Sequence, residues 1–379
     1  MKLIHLSDLH LGKRVNEYSM LEDQAYILKQ ILAIIEEEQP DGVIIAGDVY
    51  DKSVPPAEAV ALFDDFLVSL ARRRLQVFVI SGNHDSPERI AFGSRIMDAG
   101  GIHLSPVYDG RIEPIRLQDS YGAVSVYLLP FLKPAHVRRY HEEQEIVSYT
   151  DAIRCVIGDM QPDSAERNIL VTHQFVTGAS RSDSEDISVG GTDNVDADVF
   201  AGFDYVALGH IHSPQSCCDP NIRYCGTPLK YSFSEARDHK SVTVVELQEK
   251  GSVTRKTVEL VPLHDLVELR GTYDELTRRA FYENTSWQED YVHITLTDEE
   301  DVPDAIGKLR VIYRRLMKLD YDNRRTRAGA VIPGNAEVET KTPFALFSDF
   351  YALQNNQPMS DEQAAYMREL IEKTWEDEQ

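Results

Sequence analysis

Five short clusters of acidic, imidazole and amide side chains stand out in this 379-residue chain, each placed where a run of apolar residues stops. They are Asp8-Leu9-His10, Gly47-Asp48-Val49-Tyr50-Asp51, Gly82-Asn83-His84-Asp85, His173 after Ile169-Leu170-Val171-Thr172, and Gly209-His210-Ile211-His212. Carboxylate, imidazole and amide-oxygen donors without sulfur suit Mn²⁺, iron or Zn²⁺. Asp8, His10, Asp48, Asn83, His173, His210 and His212 are too many ligands for one tetrahedral or octahedral ion. They suit two ions about 4 Å apart that share a bridging carboxylate, an arrangement that binds phosphate oxygens, acidifies a water and stabilises in-line displacement.

Taken singly, each cluster has a plainer reading. Asp8-x-His10 is the kind of pair that caps a turn, and an Asp after a strand, as at Asp48, often N-caps a helix. Gly82-Asn83 is ordinary turn chemistry. A lone His173 at a strand end is commonly a hydrogen-bonded structural residue, and alternation alone puts His210 and His212 on one face. The five in this order, each at a strand terminus, are not explained that way.

The elements that must position them can be read from periodicity. Strands are expected at Leu3 to Ser7, Val43 to Ala46, Val77 to Ser81, Ser125 to Leu129, Ile169 to Thr172 and Tyr205 to Leu208. Leu21, Ala25, Leu28, Ile31, Leu32 and Ile35 follow helical spacing, and a second helix is expected from about Pro56, in its first turn, to Arg74. Arg72-Arg73-Arg74 close that helix, where cations complement the dipole. Strands separated by helices imply a layered α/β domain, with loops after the carboxyl ends converging on one crevice. From Tyr224 to Leu247 the pattern turns β-like without helices, as if hairpins complete the sheet.

The motif-bearing domain is assigned to residues 1–266. Residues 267–340 read as a small α+β unit, with a helix near Tyr273 to Phe281, a strand near Tyr291 to Leu296 and a basic helix from Asp304 to Leu319. Ala328 to Thr342 resembles a linker. Residues 341–379 form a tail carrying Phe344, Leu346, Phe347, Phe350 and Tyr351, then a helix from about Ser360, with Gln363 completing a capping box.

The four cysteines, Cys155, Cys217, Cys218 and Cys225, show neither C-x-x-C spacing nor a disulfide framework, which suits a reducing cytosol. No apolar run reaches about 18 residues and no leader precedes the first strand, so the protein is read as cytoplasmic, with no membrane partner. A formal charge of −24 opposes sequence-blind binding to nucleic acid by this chain alone. Bound cations and a partner surface would offset that opposition.

The order D-x-H, GD-x-x-D, GNHD, single H, GH-x-H resembles the calcineurin-like metallophosphoesterase superfamily. The resemblance implies an α/β fold: a metallophosphoesterase β-sandwich flanked by helices, with a dinuclear centre at one edge. It also implies that Asp8, His10 and His212 hold one metal, that Asn83, His173 and His210 hold the other, and that Asp48 bridges them. By the same resemblance His84 approaches the scissile phosphate as a catalytic residue, a task suited to a side chain whose unperturbed pKa is about 6.5. Asp51 and Asp85 would orient ligands, with capping as the competing reading.

Three stretches narrow the substrate. Gly47 to Pro56 (GDVYDKSVPP), Arg223 to Glu235 (RYCGTPLKYSFSE) and Ile4 to Gly12 are similar to the SbcD family, from Met1 to about Leu247 closely and beyond that in layout. That resemblance implies a Mn²⁺-dependent DNA nuclease, exonucleolytic on double-stranded ends and endonucleolytic on single strands and hairpins. Its implied role is in recombination and repair. It further implies a capping domain beside the site, a tail that binds an SbcC-type ABC ATPase, and a homodimer within a heterotetramer. Asp51 stands where some relatives have histidine, so that residue's role does not transfer. Lys13, Arg14, Arg89 and Arg324, Arg325 and Arg327 are candidate phosphate contacts, with solvated surface as the plainer reading. The alternatives are a small-molecule phosphodiesterase or protein phosphatase, which leaves the residues beyond Leu266 unexplained, and a non-catalytic scaffold, which should show gaps among the ligands.

Overall fold

A computed structural model describes residues 1–180, 193–329, 344–345, 347–348, 350–351 and 359–376. The chain divides into two compact units, Met1–Asp265 and Leu266–Gln379.

Besides two two-stranded pairs, the described residues of the first unit form twelve strands in two sheets. In chain order they are β1 (Lys2–Leu6), β2 (Gly42–Ala46), β3 (Gln76–Ile80), β4 (Ile102–Leu104), β5 (Ile115–Asp119), β6 (Gly122–Leu129), β7 (Arg167–Thr172), β8 (Tyr205–Leu208), β9 (Gln215–Cys217), β10 (Asp219–Tyr224), β11 (Ser241–Leu247) and β12 (Val253–Glu259). One sheet runs β12-β11-β1-β2-β3-β4, the other β9-β10-β8-β7-β6-β5. β1 to β4 are mutually parallel, as are β6, β7, β8 and β10, while β5, β9, β11 and β12 pair antiparallel at the edges. The hairpins expected after Tyr224 are therefore one, β11–β12, preceded by a 3₁₀ turn at Phe233–Glu235.

The faces of the two sheets share a core of Leu3, Ile44, Phe78 and Ile80 against Val126, Leu128, Ile169, Val171 and Tyr205. Every residue of β2 and β7 is buried, as expected for central strands covered on both faces. Helices α1 (Leu21–Glu38) and α2 (Ala57–Arg72) pack together outside the first sheet; Pro56 is the extended N-cap of α2 and not part of its first turn. Helix α3 (Tyr149–Met160) covers the second sheet with Ile153, Val156 and Met160, and begins at a Ser148–Asp151 capping box.

In the second unit β13 (Leu266–Gly271), β14 (Tyr291–Leu296) and β15 (Arg315–Tyr321) form a parallel sheet in that order. The basic helix expected from Asp304 to Leu319 is corrected: α4 covers only Ala305–Arg310, and the following residues pair with β14 as β15. Leu309, Tyr313 and Leu316 do follow helical spacing, but all three are buried in this unit's own core, and pairing with Tyr291–Leu296 makes the chain from Arg315, Leu316 included, a strand. The helix expected near Tyr273 to Phe281 is two turns, Tyr273–Thr277 and Arg279–Tyr282, broken at the extended Arg278. A short helix, Arg324–Gly329, enters the expected linker, whose residues 330–342 lie outside the described residues, as does Leu346 of the tail. Helix α5 (Asp361–Glu376) starts with the expected box: Ser360 N–H donates to Gln363 Oε1, and Gln363 N–H to Ser360 Oγ.

Candidate metal centre

All five clusters sit on loops that leave the carboxyl ends of strands. Asp8 and His10 follow β1, Asp48 follows β2, and Asn83 and His84 follow β3; His173 follows β7, and His210 and His212 follow β8. The first two loops are laced together by Asp8 N–H to Gly47 O (3.0 Å), His10 N–H to Asp48 O (2.9 Å) and Leu11 N–H to Val49 O (2.9 Å). Four of the residues, Asp8, His10, Asp48 and His210, adopt positive φ of 52°, 44°, 47° and 96°. Such backbone costs roughly 1–3 kcal/mol per residue and persists only where the surroundings over-determine it. Close approach explains two glycines. A Cβ at Gly82 would lie 2.1 Å from Asp48 Oδ1, and one at Gly209 would lie 1.9 Å from Ala46 O.

The seven sequence-derived ligands come together. Donor atoms of Asp8, His10 and His212 lie within 4.8 Å of one another, as do those of Asp8, Asp48 and His173, and those of His10, Asp48 and His84. Asn83 Oδ1 stands 3.0 Å from His173 Nε2 and 2.9 Å from His210 Nδ1. The His210 amide donates to both oxygens of Asp8, at 3.0 and 3.1 Å. His84 N–H donates to Asp48 Oδ1 (2.9 Å), and its ring meets His10 edge-on at 4.9 Å.

The tautomers can be assigned from the partners. Ala46 O only accepts, so His173 Nδ1 carries a proton toward it at 2.8 Å. That leaves His173 Nε2 facing Asn83 Oδ1 at 3.0 Å and Asp48 Oδ2 at 3.3 Å, a point that favours a positive charge, as a proton or a metal ion. Burial opposes a proton there, but the charge of Asp48 and its hydrogen bond overcome it and raise His173 to about 9. Burial likewise pushes Asp48 up, and His173 more than reverses that, leaving it well below the carboxylate range. Asp8 is raised to about 6, by burial first.

The second half of the site has the same character. Glu235 is fully buried and accepts from His212 Nδ1 at 3.3 Å and from Lys240 Nζ at 2.6 Å. Its burial is outweighed by His212 and Lys240, so its carboxyl is held at about 2 and stays ionised. His212 Nε2 therefore presents a lone pair to His10 Nε2 only 3.2 Å away, and burial keeps His10 well below its ordinary pKa and hence neutral. Two imidazoles beside two carboxylates fit a divalent ion between them. The donor set fits the two-metal reading.

The sequence pattern does not single out Glu235, at the end of the Arg223 to Glu235 stretch, or the Ala46 carbonyl. Nor does it single out Phe131, whose ring stacks 6.4 Å from His210 at 18°. Asp85 does not touch the ligands' side chains: it accepts backbone N–H bonds from Val49, Tyr50 and Gly82, and burial raises it to about 7. Asp51 pairs with Lys13 at 2.7 Å, and its carbonyl accepts from His84 Nδ1 at 3.0 Å. Arg14 donates to Glu17 O, Arg325 forks onto Asp301 at 2.7 Å, Arg324 faces Glu299, and Arg89 is exposed. The cysteines are free; Cys217 and Cys218 sulfurs lie 3.7 Å apart, and Cys225 sits 3.1 Å from Ser7 Oγ. No described helix is long and apolar enough to cross a membrane.

Residues 1–214 match the calcineurin-like phosphoesterase family, whose members use divalent metals, and with this buried histidine–aspartate cluster the chain is a metal-dependent phosphodiester hydrolase. Residues 262–355 match a second family, the type 5 capsule protein repressor C-terminal domain. The SbcD component of the nuclease SbcCD from Staphylococcus epidermidis is 31% identical over 378 residues, 98% of each chain. This chain belongs to the SbcD family of nuclease subunits. Among solved structures it is similar to a dimetal phosphatase from Danio rerio (12% identity, 69% of this chain and 99% of that one, TM-score 0.39). Another is the phosphoesterase Yfce from E. coli (13% identity, 69% and 100%, TM-score 0.28).

Proposed function

We propose that the chain is the nuclease subunit of an SbcCD-type assembly, cutting DNA with two Mn²⁺ ions and an SbcC-type ABC ATPase as partner. Its substrates would be double-stranded ends, single strands and hairpins. The observation that carries this reading is likeness to one SbcCD component along 98% of both chains, C-terminal region included. The tail beyond residue 341 is proposed as the ATPase-binding element, and residues 267–340 as the capping domain.

Asp8, His10 and His212 would hold one ion and Asn83, His173 and His210 the other, with Asp48 shared. When bound, the ions would draw charge from the phosphoryl oxygens and acidify a water for in-line attack. The protein's share is to hold those ligands in fixed tautomers through Ala46 O and Glu235. His84 Nδ1–H is tied to Asp51 O, which turns Nε2 toward Asp48 Oδ2, 3.9 Å away, on a ring 21% exposed. Once protonated, Nε2 can donate to the departing sugar oxygen. Such proton transfer contributes roughly 10²–10⁴-fold.

Purified chain with Mn²⁺ and its ATPase should degrade linear duplex DNA, and His84→Ala should lose at least ~10²-fold of that rate while retaining both metals. Intact DNA with the wild-type assembly overturns the proposal.

A further inference from the structure

We infer that His141, Cys155 and Asp159 form a separate single-ion site of the Zn²⁺ class. It lies on the helix that covers the second sheet, outside the dinuclear centre. Cys155 and Asp159 are four apart on α3, so they share one face of it. His141 comes from the chain ahead of that helix, and one donor atom from each of the three lies within 4.8 Å of the others. His141 Nδ1 is 3.6 Å from Asp159 Oδ2.

The far side of the imidazole is already held. Tyr108 Oη lies 3.0 Å from His141 Nε2 and can accept its proton, which leaves the Nδ1 lone pair for the ion. Metal-binding histidines are usually oriented by such a bond. Cys155 is 9% exposed and the His141 side chain 11%, while the Asp159 side chain is 47% exposed. The three ligands thus form a half-buried cradle with one side open to water. A neighbouring cavity of about 350 Å³, lined in part by Glu145, Cys155 and Asp159, leaves space there for a fourth ligand.

One thiolate, one imidazole and one carboxylate select Zn²⁺ or Co²⁺ over Mn²⁺, the reverse of the sulfur-free dinuclear set. Binding would clamp the segment leading from Phe131 through the Pro134–Arg138 turn to α3. Phe131 stacks on His210, so the clamp would brace one wall of the dinuclear centre.

Sulfur makes the site separable by spectroscopy. Full-length protein titrated with Co²⁺ should develop a sulfur-to-cobalt charge-transfer band, which the dinuclear ligands cannot produce. Cys155→Ala should abolish the band and bind one equivalent fewer. His141→Gln and Asp159→Asn should weaken the band's apparent affinity at least about tenfold. Those two substitutions carry the test if Cys155→Ala does not fold. A wild type without the band, a Cys155→Ala protein that keeps it, or unaltered affinity in both other variants overturns the inference.

Discussion

Replacing Glu235 isolates the role of the network behind His212. The carboxylate is fully buried and bonded to His212 Nδ1 (3.3 Å) and Lys240 Nζ (2.6 Å). Holding it at about 2 against an ordinary 4.5 corresponds to about 3 kcal/mol in favour of the charged form. Glu235→Ala should cost that or somewhat more, because it leaves the Lys240 ammonium, whose side chain is 3% exposed, without its closest counter-charge; such losses run to about 3–5 kcal/mol. The folded carboxyl is depressed, so its contribution is full above its ordinary value of 4.5 and disappears as pH falls toward 2. Glu235→Gln keeps the shape and removes the charge. It should lower metal affinity by about 10–100-fold, the usual effect of losing the group that orients a metal-binding histidine. Urea unfolding of metal-free protein at pH 7 and pH 3, with Mn²⁺ titration at neutral pH, reads both effects. If Glu235→Gln binds Mn²⁺ like wild type and the stability gap of Glu235→Ala is unchanged at pH 3, the reasoning is refuted.

Gly209→Ala should disturb His173 directly, since the new Cβ would lie 1.9 Å from Ala46 O and 2.6 Å from His173 Nδ1. Overpacking of this kind costs about 1–3 kcal/mol, and a variant with wild-type melting and metal binding would contradict it. Asp119 is held below its ordinary pKa, first by its bond to Arg167, a residue 2% exposed in the first unit. Asp119→Asn should therefore destabilise by about 2–4 kcal/mol at pH 7, with the gap closing as pH falls below about 4. A gap constant with pH would exclude the ion pair as its source.

Much of the cluster's geometry was legible because polar residues at Asp8, Asp48, Asn83, His173 and His210 interrupt apolar runs abruptly, and strand ends put them in one crevice. Their tautomers were not legible. The bond from His173 goes to a backbone carbonyl, Ala46 O, which no residue pattern encodes. Glu235 reads as a solvated charge until the fold buries it beside Lys240. Residues 304–319 show the other limit: their three-to-four spacing of apolar residues is genuine, yet pairing with Tyr291–Leu296, far away in sequence, turns the second half into strand.

Diffraction from crystals grown in Mn²⁺, recorded at the manganese absorption edge, addresses the dinuclear claim most directly. Two anomalous peaks should appear with the Asp48 carboxylate between them, one peak against Asp8, His10 and His212 and the other against Asn83, His173 and His210. A single peak, or a pair that Asp48 does not touch, would contradict it.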